Sequence, residues 1–149
     1  SRGNVRLRSG DPGALPRVDP GIFADPADLE STMAGFRFAR ELLGRAPLSE
    51  MIESEIFPGA DVTDDNAIAR HCRRTVKTGY HPVGTARMGH DGDENAVVDS
   101  RLRVLGVQGL RVADASVMPN IVSGNTNAAV MAVADRAATL ILDDGSGAT

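Results

Sequence analysis

From residue 77 to residue 95 the chain shows no helical periodicity and is punctuated by Gly79, Pro82, Gly84, Gly89 and Gly92. The stretch 80–89 therefore has to be a loop whose shape is set by glycine and proline backbone preferences. Regular elements must be arranged on either side of it, and loops held on a scaffold are where binding and catalytic residues concentrate. Upstream, Val5-Arg6-Leu7-Arg8 alternates apolar with polar residues and runs into Ser9-Gly10-Asp11-Pro12-Gly13, the pattern of a half-buried strand entering a turn. Residues 9–24, with three of the eight prolines, are predicted to form ordered loop. Asp25-Pro26-Ala27-Asp28 then supplies a side-chain cap, a proline at the first helical position and an acid in the first turn. The spacing predicts a helix over 26–43 with Leu29, Met33, Phe36, Ala39 and Leu43 on one face, ended by Gly44 and Pro47.

Thr63-Asp64-Asp65-Asn66 caps a second, shorter helix to about residue 75, with Ile68, Cys72 and Val76 as its apolar side. Arg70, Arg73 and Arg74 are expected to face solvent or an acidic neighbour. Leu102-Arg103-Val104 and Leu110-Arg111-Val112 are short strand candidates flanking residues 106–109, either as a hairpin or as two neighbouring strands. The final element, about 125–142, is an alanine-rich helix with Val130, Val133, Ala134, Ala137 and Ile141 as its stripe. Residues 143–149 are rich in Gly, Ser and Asp and are predicted to fray.

The 149 residues suffice to bury roughly 70% of the unfolded chain's surface. With 42% hydrophobic and 24% charged residues the composition is that of a globular protein. Four Phe, one Tyr and no Trp leave little surface on which bases could stack, and the net charge of −4 disfavours a phosphate backbone or an anionic membrane as partner. No nucleic acid is expected among its partners. No apolar run approaches the roughly 20 residues of a membrane span. The single Cys72 cannot form an internal disulfide, which favours a cytoplasmic setting.

Chemistry must come from few residues. His71, His81 and His90 lie ten and nine residues apart with Cys72 alone beside the first, so no metal site is expected. None of the sequence signatures G-x-S-x-G, G-x-x-x-x-G-K-[ST] or G-x-G-x-x-G occurs. Spacing alone leaves open a Ser123/His81/Asp114 hydrolase, because triads are defined by geometry. His81, between Tyr80 and Pro82, is either a loop histidine bonded to backbone or a proton acceptor, since an unperturbed imidazole titrates near pH 6.5. Ser123-Gly124-Asn125-Thr126-Asn127 is a helix cap, and equally a helix N-terminus able to stabilise negative charge on a ligand.

Two blocks together carry a resemblance. Tyr80-His81-Pro82-Val83-Gly84-Thr85-Ala86-Arg87-Met88-Gly89 is the first. The second is Leu110-Arg111-Val112-Ala113-Asp114-Ala115-Ser116-Val117-Met118-Pro119, running on to Gly124-Asn125-Thr126-Asn127-Ala128. Together they resemble the C-terminal region of the glucose-methanol-choline (GMC) family of flavin-dependent oxidoreductases, nearest its choline dehydrogenase-like branch. Ser1-Arg2-Gly3, Asp11-Pro12 and Val18-Asp19-Pro20 extend the resemblance over residues 1 to about 142.

The resemblance implies an α+β piece: residues 1–95 mainly a substrate-binding portion with antiparallel sheet and helices, and 96–142 the last strand and helix of an FAD-binding domain. It implies oxidation of an alcohol to an aldehyde or ketone, with His81 as general base while hydride passes to the flavin N5. Asn125 would hold the substrate oxygen, with Asn127 as the competing candidate. Asp114 and Ala115 would approach the ribityl and diphosphate of FAD, and Asn125, Thr126 and Asn127 would meet the flavin ring. Family members carry a dinucleotide-binding fold with a glycine fingerprint, and this sequence has none. The chain is therefore expected to be a C-terminal fragment or half of a split enzyme, inactive alone, whose partners are a small alcohol and an N-terminal FAD-binding part. A cofactor-free assembly subunit, or a lyase on the same scaffold, are the alternatives.

Overall fold

The computed structural model describes residues 1–146. The chain divides into two compact units, Ser1–Lys77 and Thr78–Thr149. Residues 78–95, which the sequence reading groups with the first portion, are hydrogen bonded within the second.

In the first unit, β1 (Asn4–Arg6) pairs antiparallel with β2 (Arg17–Asp19), Val5 opposite Val18. β1 is shorter than the predicted strand, and β2 falls inside the stretch predicted to be loop. The reason is local: β2 is three residues confined between Pro16 and Pro20, which lack the N–H to extend a ladder. Both strands are exposed on both faces, so neither needs apolar alternation. Gly21, at φ +62, sits so close to the Arg2 carbonyl that any side chain there would run into backbone.

Helix α1 (Pro26–Leu43) begins as predicted: Asp25 accepts from the Ala27 N–H at 3.0 Å. At its other end the Gly44 N–H donates to the Arg40 carbonyl at 3.0 Å. Leu29, Met33 and Phe36 are half-buried, but Ala39 and Leu43 are exposed, and the stripe is completed by Arg40. A charged residue can take that place because its donors are used. Arg40 binds Glu55 through Nε at 2.9 Å and Nη2 at 2.7 Å, and reaches the carbonyls of Val62 at 2.6 Å and Gly59 at 3.0 Å. Its guanidinium also lies 4.4 Å from the Phe36 ring centre.

After the one-turn α2 (Leu48–Met51), α3 (Asp65–Thr75) packs against α1. Its Asp64 cap accepts from the Ala67 N–H at 2.9 Å, and Ile68 and Cys72 are buried. Arg70, Arg73 and Arg74 are exposed, as expected. His71 lies between the Phe36 and Phe57 rings, 5.3 and 5.0 Å between centres.

The second unit is held by irregular backbone pairing. Ala86 and Met88 donate to the Ser116 and Val117 carbonyls at 3.0 and 2.8 Å, and Gly89 donates to Val98 at 3.1 Å. The two strand candidates do form a hairpin: Val104 donates to Leu110 at 2.9 Å and Val112 to Leu102 at 3.1 Å, around Gly106 and Gly109 with φ +76 and +73. The pairing is a single bridge, too short for a regular strand. The core is Val98, Leu102, Val117 and Ala137, with Met88, Val104, Val112, Ala113 and Val133 packed around it.

A 3-10 turn (Ala115–Val117) leads towards α4 (Thr126–Ser146). The buried stripe of α4 is Thr126, Ala137 and Leu140, flanked by half-buried Val130 and Val133; Ala134 and Ile141, predicted to join it, are exposed. The helix also runs through 143–146, four residues predicted to belong to the frayed tail. Acids are unfavourable at a helix C-terminus, but Asp144 takes ion pairs from both Arg101 and Arg111. The remainder of that tail, 147–149, lies outside the described residues.

Truncating the buried Ile68 to Ala is expected to cost about 2–5 kcal/mol, and Ile68→Val about 0.5–1.5 kcal/mol, read as shifts of the urea unfolding midpoint at constant slope.

Candidate active site

The loop that carries His81 is shaped before the histidine is reached. The Tyr80 N–H donates to the Thr78 hydroxyl at 3.0 Å, and Tyr80 takes a left-handed backbone at φ +62 while its side chain stays exposed. A tyrosine at positive φ is uncommon and persists only where its surroundings impose it. Beyond His81, Gly84 turns the chain at φ +83, and the Ala86 and Met88 bonds to 116–117 fix the loop to the core.

His81 is half-buried, and its Nδ1 lies 2.9 Å from the Thr126 Oγ1. Thr126 is the first residue of α4 and is 8% exposed. Its neighbours Asn125 and Asn127 are exposed. The two segments singled out in the sequence are thus joined: His81 meets the start of α4, directly beside Asn125. The resemblance places Thr126 at the flavin ring, and the structure adds a side-chain contact to His81 that the sequence does not announce. Its signal was a hydroxyl residue opening the final helix, legible as a cap and no more.

Asp114 has other partners. Exposed, it caps the 3-10 turn, accepting from the Ser116 N–H at 2.8 Å and the Ser116 hydroxyl at 2.5 Å. Those two bonds hold its carboxyl below the usual carboxylate range, against a smaller opposing effect of burial. The bonded nitrogen of His81 goes to Thr126 and not to Asp114, so the Ser123/His81/Asp114 relay is not assembled. Ala115, the first residue of the turn, is half-buried. His90 bonds the Asp91 carbonyl at 2.8 Å. Among the described residues no group of three or more His, Cys, Asp or Glu could hold a metal ion, and no helix is long and apolar enough to cross a membrane.

The donor set at the start of α4 comprises a helix N-terminus flanked by two exposed carboxamides, with an imidazole fixed beside it. Such groups fit a ligand with ring carbonyls and an oxygen that gains negative charge. A family profile for GMC oxidoreductase matches residues 1–134. The chain belongs to the GMC oxidoreductase family. It corresponds to the family's C-terminal region and is choline dehydrogenase-like. It is 46% identical over 151 residues to choline oxidase of Arthrobacter globiformis, covering 100% of this chain and 28% of that protein. To the alcohol dehydrogenase [acceptor] of Pseudomonas putida it is 42% identical over 142 residues, covering 95% and 25%. A variant of Aspergillus oryzae formate oxidase, studied for modification of its FAD, superposes with a TM-score of 0.91 at 33% identity, covering 99% and 26%. This GMC chain therefore spans about a quarter of the length of the relatives it matches, and its α+β architecture is that of the part it matches.

The bonds at Asp114 fix a sign for pH. Its folded pKa lies below the unfolded value of 3.8, so its contribution to stability is present above that value and is lost as pH falls through the lowered folded pKa. In Ser116→Ala the Asp114 carboxyl is expected to titrate closer to 3.8, read by side-chain carbonyl NMR.

Proposed function

We propose that the protein containing this chain oxidises a small alcohol to an aldehyde or ketone with FAD, and that His81 accepts the alcohol proton. The observation that carries the reading is the 2.9 Å bond joining His81 to Thr126 at the start of α4, supported by the names of the relatives. FAD, when bound, supplies the hydride acceptor. Asn125 and Asn127, with the backbone N–H groups of the first turn of α4, would hold the flavin ring, and Asp114 and Ala115 its ribityl and diphosphate side.

The role of each residue follows from its chemistry. Removing hydride from the carbon requires the O–H proton to leave, and a neutral imidazole within reach of that oxygen takes it. Asn125 donates from its carboxamide to the same oxygen and stabilises the negative charge that develops there. In this reading residues 1–95 contribute mainly to the substrate-binding portion and 96–142 to the flavin portion, the loop 78–95 being bonded to the latter.

The remaining FAD contacts come from an N-terminal part, and the chain by itself is inactive. What is in keeping with this is how little of the apolar inventory is covered: among the described residues the largest fully buried side chains are Ile68, Val98 and Val117, while Leu7, Met51 and Ile56 are 88%, 81% and 90% exposed. Cys72, a buried free thiol, suits the cytoplasmic setting of this reading.

In the full-length flavoprotein, His81→Ala is expected to slow anaerobic flavin reduction by on the order of 10²-fold or more. Asn125→Ala is expected to slow it by about 10²–10³-fold. Both are read by stopped-flow loss of the visible flavin band. An unchanged rate in His81→Ala removes it from the mechanism, and a wild-type flavin that no alcohol reduces points to the lyase.

A further inference from the structure

The His81–Thr126 bond decides which nitrogen of the ring can act. A neutral imidazole has one N–H and one lone pair, and only the lone-pair nitrogen takes a proton. With Nδ1 engaged 2.9 Å from the Thr126 hydroxyl, Nε2 is the nitrogen left for substrate. It is a base only when Nδ1 carries the ring hydrogen and donates it. Were the hydroxyl the donor, Nε2 would bear the proton and His81 could accept nothing.

Thr126 is suited to accept. Its oxygen has two lone pairs, its branched side chain is stiff about χ1, and it is buried at the head of a 21-residue helix. On the other side of His81 its loop is tied down by the Ala86 and Met88 amides, which donate to the Ser116 and Val117 carbonyls at 3.0 and 2.8 Å. A base needs such a double restraint, because a ring free to flip or to exchange its N–H spends part of its time with the wrong nitrogen forward.

We propose that Thr126 is a positioning residue: its hydroxyl oxygen accepts the Nδ1–H of His81 and holds the ring in the tautomer that leaves the Nε2 lone pair free for the alcohol proton. The proposal rests on the reading of His81 as the base, and the two can be tested apart.

The experiment uses the full-length flavoprotein labelled with ¹⁵N-histidine, at alkaline pH where the ring is neutral, with His81 assigned by its loss in His81→Ala. In the wild type and in Thr126→Ser, Nδ1 is expected to show the shift of a protonated nitrogen and Nε2 that of a bare one. In Thr126→Val, which keeps the shape and removes the hydroxyl, the ring is expected to move towards the Nε2–H tautomer. Flavin reduction then slows by about 10- to 100-fold with KM little changed, the weight that orienting partners carry for metal-bound histidines, and Thr126→Ser restores it. A Thr126→Val protein that keeps the wild-type tautomer overturns the proposal, whether or not its rate falls. If the tautomer responds as expected while His81→Ala reduces flavin at full rate, the grip of Thr126 on the ring stands and the base assignment falls.

Discussion

A single hydrogen bond, between His81 Nδ1 and Thr126 Oγ1, joins segments 45 residues apart in the chain. The second unit is organised around making that contact possible. The Ala86 and Met88 amides bond the His81 loop to the 3-10 turn, and Val117 of that turn is buried with Val98, Leu102 and Ala137. Ala137 belongs to α4, whose first residue is Thr126, so one core sets both ends of the bond. An imprecise core would show first as a mobile imidazole, since a loop side chain is only as well placed as the scaffold that carries it.

The first unit depends on a different polar group. Arg40 gathers Glu55 and the carbonyls of Gly59 and Val62 onto α1, which ties down a loop with little regular structure of its own. Glu55 is held below the ordinary glutamate range chiefly by the Arg40 hydrogen bond, against a smaller opposing effect of burial. The pair is partly exposed, so its attraction is screened by solvent and its larger contribution is geometric. α3, with Ile68 and Cys72 buried, packs on the same helix, and Phe36 of α1 meets both the His71 ring of α3 and the Arg40 guanidinium.

What the sequence made legible were features with local causes. Asp25 with Pro26, and Asp64 ahead of Ile68, are capping chemistries that act within one turn, and both helices begin where those residues place them. Around Gly106 and Gly109 the sequence showed two short segments and left open whether they pair; the hairpin is settled by the Val104–Leu110 and Val112–Leu102 bonds. What was not legible depends on partners distant in the chain. Arg40 at the end of an apolar stripe looks like a solvent residue until Glu55 is brought to it. Asp144 looks like tail until Arg101 and Arg111 pair with it. β2 holds a single apolar residue, Val18, between two prolines, too short a run to show a period. At the site, the motif residues His81 and Asn125 stood out by resemblance, whereas the side-chain role of Thr126 is a property of the folded loop.

The most direct test of the account is the rate at which a primary alcohol bleaches the flavin of the full-length protein without oxygen, followed across pH. A neutral imidazole as proton acceptor requires the rate to rise with pH through one ionisation to a plateau, and requires that ionisation to vanish in His81→Ala. A rate independent of pH, or an ionisation that survives the substitution, would contradict it.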